Sequence, residues 1–310
     1  MFSDTHFHLK LASSFLAENQ EDQNDPLLKE KIAGQILSAM AERNAFFAMD
    51  IGTEADDLIE RAEFIDRAVS LIKDDCRRSK VSSMIQFSAG IWPSPEEISN
   101  REKGLEILEK QICEFEKRNW SFGKKKIIAI GEGGLDHHWN VSGADHRDEK
   151  VWNDDMFNGE EELFAMQLKM AEKKNLPFVI HSRDAFEKTL EVVKKSGYNK
   201  GILHCCSYGL EEVKKFLDLG WYISFSGSVT YTKKKNIEEM KKLLSYVPSS
   251  KILFETDSPY LSPVPKRGEI NTPLNVEHTA SFIASARGIK SEDLSLLVDE
   301  NIKRLFFQGK

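Results

Sequence analysis

This sequence predicts an α/β fold, a (β/α)8 TIM barrel, on three observations. Eight short apolar, β-prone stretches alternate with segments of helical periodicity along almost the whole length. Several stretches are continuous apolar runs, as expected for strands buried on both faces of a parallel sheet. Finally, histidines or carboxylates stand where five of the runs stop, and in a barrel those ends share one mouth. The rival is an open doubly wound sheet, but no Gly-rich phosphate-binding turn follows the first strand.

The first strand, over 1–5, runs into Asp4-Thr5-His6-Phe7-His8. Strand residues i and i+2 project to one face, so His6 and His8 can share a partner. A helix over 27–43 leads to strand two at 45–51 (Ala-Phe-Phe-Ala-Met-Asp-Ile), and a helix over 54–75 to strand three at 83–90. Pro93 and Pro95 punctuate the next loop, where proline is tolerated. A helix over 95–118 then precedes strand four at 126–131, Lys-Ile-Ile-Ala-Ile-Gly. Residues 132–158 read as the longest irregular segment, and loops of that length are commonly functional or disordered. In 160–174, Leu163, Met166 and Met170, flanked by Phe164, Leu168 and Ala171, mark a wide apolar helix face. Strands at 177–181, 201–204, 221–225 and 252–256 alternate with helices at 184–196, 209–219 and 234–246. After a loop at 257–275, helices at 276–287 and 291–306 close the chain. With no internal repeat, low-complexity tract or linker, residues 1–310 read as a single domain.

The bulk properties narrow the function classes. A net charge of −7 argues against a general nucleic-acid coat protein, since non-specific affinity comes from neutralising phosphates. It leaves room for an enzyme with a local cationic cleft. No apolar run approaches the ~18 residues that span a membrane, and the first candidate ligand, at position 6, precedes any room for a secretory signal. Cys76, Cys113, Cys205 and Cys206 form no C-x-x-C pair, so free thiols and a cytoplasmic location are expected.

The strand ends carry the chemistry. Strand four is followed by Gly131-Glu132-Gly133-Gly134-Leu135-Asp136, strand five ends in Ile180-His181-Ser182-Arg183 and strand six in Leu203-His204-Cys205. Strand eight gives Phe254-Glu255-Thr256-Asp257-Ser258-Pro259-Tyr260. Singly, each has a plainer explanation: a hydrogen-bonded histidine, an acid at a helix N-terminus, an aspartate in a turn. Five strands ending this way by chance is far less plausible. His6, His8, Glu132, His181, His204 and Asp257 can together hold two divalent ions with Glu132 between them. A mixed imidazole and carboxylate set suits Zn²⁺, Mn²⁺, Co²⁺ or Ni²⁺, with Mg²⁺, which prefers oxygen, as the further alternative.

Together these motifs resemble the TatD family of metal-dependent deoxyribonucleases, within the amidohydrolase superfamily. The resemblance spans essentially the whole chain and includes Phe164 with Gln167, Leu176-Pro177, and Asn301 with Phe306. It implies that His6, His8, Glu132 and Asp257 surround one metal and that Glu132, His181 and His204 surround the other. It further implies DNA phosphodiester hydrolysis, as a 3′-5′ exonuclease or a repair enzyme. Two bound ions would supply an activated water at neutral pH, with Asp257 as both ligand and base.

There are departures from the family pattern. Where the family commonly has Gly-x-His-Pro-His after strand three, this chain reads Gly90-Ile91-Trp92-Pro93-Ser94, so a histidine of the mouth is missing. Gly133 replaces a bulky aliphatic residue, and an Arg-Asn-Glu-Pro element is broken up as Arg267-Gly268-Glu269-Ile270-Asn271-Thr272-Pro273. The 136–158 loop, with His137, His138, Trp139, His146, Arg147 and Trp152, is longer than usual and reads equally as a lid or as a surface excursion. Candidate substrate contacts are Arg183, Lys266, Arg267 and Tyr260, and a monomer is expected. Two alternatives stay open: a small-molecule amide, ester or phosphoester hydrolase of the same superfamily, since one barrel supports many chemistries, and a metal-binding protein without catalysis.

Overall fold

The computed structural model describes residues 2–20, 24–143 and 147–308. Eight parallel strands form one sheet in chain order, each beside the next. Strand β1 (Asp4–Phe7) meets the chain just past strand eight through a parallel bridge between Phe7 and Ser258. Backbone bonds from Asp257 N–H to His6 O and from His8 N–H to Ser258 O close the barrel there, at 2.9 and 2.8 Å. The barrel expectation is met.

The first third holds helices that the periodicity did not expose. Helix α1 (Leu9–Glu18) follows β1 directly, and α2 (Leu28–Glu42) leads to β2 (Ala48–Asp50). After α3 (Asp57–Ser70) comes α4 (Asp75–Met84), placed where the sequence showed only a gap before β3 (Ile85–Ala89). Helix α4 buries only Val81 and Met84 and so leaves no apolar stripe to read. Its start is marked by Asp74, whose side chain accepts from Arg77 N–H at 2.7 Å. The helix expected over 95–118 is two, α5 (Pro95–Ser99) and α6 (Arg101–Lys117), broken at Asn100.

Strand β4 departs most from expectation, since it runs from Ala129 to Asp136 rather than over 126–131. Its glycines, which read as a loop, permit close approach instead. A side chain at Gly134, where φ is +148°, would lie 1.9 Å from the His181 carbonyl oxygen. The space beside Gly133 is filled by the Gln167 amide, which bonds both backbone polar groups of Ile91 at 2.8 and 2.9 Å. The strand therefore pairs through Gly134↔His181 to Asp136↔Arg183. Helix α7 (Asp154–Lys174) also starts earlier than the pattern suggested, shortening the irregular segment at both ends.

The second half follows expectation: β5 (Phe178–Arg183), α8 (Phe186–Ser196), β6 (Gly201–Leu203), α9 (Leu210–Asp218), β7 (Tyr222–Phe225), α10 (Ile237–Tyr246) and β8 (Ile252–Phe254). Helices α11 (Val276–Arg287) and α12 (Ser291–Ile302) pack outside, and a π-helical turn over Lys303–Phe307 brings Phe306 onto Phe47, ring centroids 5.1 Å apart. Phe87, Phe115, Trp120 and Phe122 fill the space between β3 and α6. All four cysteines are unpaired, and no helix among the described residues is long and apolar enough to cross a membrane.

Candidate metal centre

Each of the six predicted donors leaves the barrel at its C-terminal mouth, and the backbone ladder sets where. His6 lies in β1, and His8 is the first residue past it. The turn into α1 is fixed by Asp50, which accepts from Leu9 N–H at 3.0 Å and is ion-paired with Arg61 inside the protein. Glu132 N–H donates to Gly52 O at 3.0 Å, and His204 N–H to Ile180 O at 3.1 Å.

The six side chains meet around Glu132, whose two oxygens point to different partners. Oε2 lies 2.9 Å from His6 Nε2 and 3.9 Å from His8 Nε2, and Asp257 Oδ1 lies 3.5 and 3.6 Å from the same two nitrogens. Oε1 faces His181 Nδ1 at 2.8 Å and His204 Nε2 at 3.4 Å. The His6 and His204 rings stack at 4.0 Å, joining the two groups into one cluster. Donor atoms of His6, His8 and Glu132, and separately of Glu132, His181 and His204, all lie within 4.8 Å of one another.

The cluster fits a cation on its own terms. His6 Nε2 and Glu132 Oε2 are buried and make no hydrogen bond despite their 2.9 Å separation. Buried polar atoms are rarely left so. Two buried donor atoms that converge without a hydrogen bond between them are what a divalent ion satisfies.

Carboxylates outside the cluster orient two of its histidines. His181 Nε2 lies 2.9 Å from Asp136 Oδ2, and His204 Nδ1 lies 3.3 Å from Glu255 Oε1. Glu255 is itself held by Cys205 N–H and Ser224 Oγ, each at 2.6 Å. Neither Asp136 nor Glu255 is among the predicted site residues. A signal existed for Asp136, since residues i and i+4 of a strand share a face and Glu132 and Asp136 are so spaced. Asp4, fully buried, ties the seam by accepting from Thr256 Oγ1 at 2.6 Å and from His6 N–H at 3.1 Å.

The charges follow the contacts. Burial opposes ionisation of Glu132, yet the His204 and His6 imidazoles and the His181 hydrogen bond outweigh it and hold its carboxyl well below the usual range. Burial likewise opposes charge on His181, but hydrogen bonds to Asp136 and Glu132 lift it to about 9. His6 is pushed down by burial and by His204. Asp257 stays below its ordinary value because its contact with His8 and the His6 charge overcome burial. Asp4 is raised to about 8 by burial, in spite of its hydrogen bonds.

The rim residues are more dispersed. Arg183, 43% exposed, reaches to 4.0 Å from Asp136 Oδ2 at the edge of the cluster. Lys266 pairs with Glu269 at 3.2 Å, Arg267 lies over the Tyr231 ring at 4.4 Å, and Tyr260 packs edge-on against Phe15. Trp92 stands at the mouth with its ring 5.9 Å from that of His181. Burial and the nearby Asp257 and Glu255 charges push the Cys205 thiol well up, and no ligand cluster among the described residues includes it.

The long segment after β4 turns inward. His146 lies outside the described residues, but Arg147 and Trp152 are buried, and Trp139, Trp152 and Phe157 pack together at centroid distances of 5.4 to 6.2 Å. His137 bonds Glu160 at 2.9 Å, and His138 bonds Asp184 at 2.8 Å. The described part of the segment is thus anchored by packed side chains, while Val141 and Val151 stay exposed.

Known proteins resemble this chain along nearly its whole length. Residues 3–307 match the family described as TatD related DNase. A Bacillus subtilis protein described as an uncharacterized metal-dependent hydrolase is 32% identical over 263 residues, 82% of this chain and 93% of that protein. An Escherichia coli K12 protein with the same description is 36% identical over 182 residues, 58% of this chain and 63% of that one. The crystal structure of an Escherichia coli K12 TatD homologue superimposes with a TM-score of 0.67 at 22% identity, covering 98% of this chain and 97% of that one. That last likeness speaks to the fold.

Proposed function

The chain belongs to the TatD-related DNase family and is a metal-dependent hydrolase of that type, and from that premise we propose that it hydrolyses DNA phosphodiesters with two divalent ions. The division of Glu132 carries the reading: one oxygen serves the His6, His8 and Asp257 group and the other the His181 and His204 group. His6, His8, Glu132 and Asp257 would hold one ion, and Glu132, His181 and His204 the other. Bound there, Zn²⁺, Mn²⁺ or Mg²⁺ would supply Lewis acidity toward the phosphoryl oxygen and raise the acidity of water.

The chain's own groups do the rest. Asp257, 15% exposed and facing His6 and His8, accepts the proton that the attacking water gives up. Asp136 and Glu255 keep His181 and His204 in fixed ring orientations. The cluster's burial shields the reacting bond from bulk solvent and strengthens its electrostatics. Arg183, the cation beside the cluster, meets the phosphate backbone. Lys266, Arg267 and Tyr260 extend the strand and exchange their present local partners for DNA. A monomer acting in the cytoplasm, with residues 1–310 as one domain, completes the proposal.

A second reading, a small-molecule amide, ester or phosphoester hydrolase, is favoured by Trp92. Its ring stands 5.9 Å from that of His181, where the family pattern has a histidine.

End-labelled single-stranded DNA incubated with Mn²⁺, Zn²⁺ or Mg²⁺ separates the two. Stepwise shortening that requires the metal and is abolished by Glu132→Gln is expected. DNA left intact under every metal, with p-nitrophenyl esters or lactones hydrolysed, overturns the nuclease in favour of the second reading.

A further inference from the structure

The proposed chemistry does not use the arginine in the segment between β4 and α7. Arg147 is 2% exposed, although arginine is almost never fully buried unless paired. Its guanidinium is held by directed contacts. Nη1 donates to Pro93 O at 2.7 Å and Nη2 to Glu160 Oε1 at 2.8 Å, while the Trp152 and Trp92 rings lie 4.1 and 5.2 Å away. Toward the barrel, Nε lies 4.0 Å from Asp136 Oδ1.

Asp136 is gripped from two sides. Its backbone N–H donates at 3.0 Å to the same Glu160 oxygen that Arg147 holds, and its carboxylate faces the guanidinium. The other carboxylate oxygen lies 2.9 Å from His181 Nε2. A loop that only covered surface would have no use for a buried ion pair, which apolar packing commonly equals or betters in stability. A device that fixes direction does.

We propose that Arg147 is a positioning residue that sets the ring orientation and tautomer of His181 through Asp136. A carboxylate only accepts hydrogen bonds, so Asp136 requires the proton on His181 Nε2. Without an ion, Nδ1 donates its own proton to Glu132 Oε1 at 2.8 Å; an ion held there would take that proton's place, and because Asp136 holds the Nε2 proton, Nδ1 is the nitrogen left to bind it. The inference rests on His181 being a metal ligand, as proposed above, and adds the residue that prepares it.

Two measurements test it. In ¹H–¹⁵N spectra of the histidine rings of the zinc-loaded wild type, assigned with His181→Gln, His181 should carry its proton on Nε2. Co²⁺ titration of the double variant Arg147→Gln/Glu160→Gln, which leaves neither charge of the pair buried alone, should show one ion bound as in the wild type. The second should bind about 10- to 100-fold more weakly, with an altered visible spectrum, and Arg147→Lys should fall between. A folded double variant that binds both ions with wild-type affinity overturns the inference and leaves the metal reading standing. So does His181 protonated on Nδ1, which decides the matter even if the double variant does not fold. Wild-type protein that binds fewer than two Co²⁺ overturns both.

Discussion

Asp257 sits at φ +56°, and Cys205, beside His204, at φ +45°, a left-handed conformation that costs most residues roughly 1–3 kcal/mol. Aspartate and asparagine accept it more readily than other side chains, so Asp257→Asn should keep the fold while losing the base. Turnover of labelled DNA is expected to fall about 10²- to 10⁴-fold, and a variant retaining half its activity would remove Asp257 from that role. His181→Ala should lower the metal content, by elemental analysis, by about one ion per chain; an unchanged count would take it out of the ligand set. Far from the mouth, ahead of β4, burial depresses Lys125 to about 8. The sign is that of a cation the fold disfavours: the penalty is present at neutral pH and is relieved as pH rises through 8 toward the unfolded value. Chemical denaturation should show this contribution to stability growing over that window in the wild type and vanishing in Lys125→Met. The donors themselves were legible because imidazole and carboxylate end otherwise apolar runs. Their supports were less so: Glu255 and Arg147 act through contacts that cross 13 to 51 positions of sequence, and the spacing of Glu132 and Asp136 speaks only once β4 is known to run on to Asp136.

Strand β4 shows where reading by element succeeds and fails. Its apolar half was plain, whereas Glu132 to Gly134 read as irregular and proved to be strand, because the missing side chains let β5 approach. Gly134→Ala should therefore cost about 1–3 kcal/mol or more, since a methyl group meets the His181 carbonyl in a backbone conformation alanine rarely adopts. A melting temperature equal to that of the wild type would contradict the pairing of Gly134 with His181. Helix α7 gives a milder case. Asn153 caps it by accepting from Met156 N–H at 3.0 Å, so Asn153→Ala should cost about 1 kcal/mol in urea denaturation while leaving metal content unchanged. Helices α1 and α4 escaped the sequence reading for opposite reasons: α1 follows its strand with no loop to announce it, and α4 has almost no apolar face.

At the scale of the molecule, the alternation of strands and helices was enough to give the barrel, because chain order is also spatial order. The converging donors leave buried lone pairs that suit a cation, so chelation should weaken the whole protein. Dialysis against EDTA is expected to lower the melting temperature by several degrees and added Zn²⁺ or Mn²⁺ to restore it, as for any ligand that binds the native state alone. A curve unmoved by chelator would mean that the lone pairs need no ion. The seam between β1 and the end of β8 has a further implication for how such a chain is made. His6 and His8 emerge from the ribosome more than two hundred residues before Asp257, and the bridge from Phe7 to Ser258 must wait for both. A nascent chain stopped before β8 already owns Glu132, His181 and His204 but lacks the partner that closes the other half. With Asp257 as the base proposed above, hydrolytic competence would arrive with the last strand, and an unfinished polypeptide would be born disarmed.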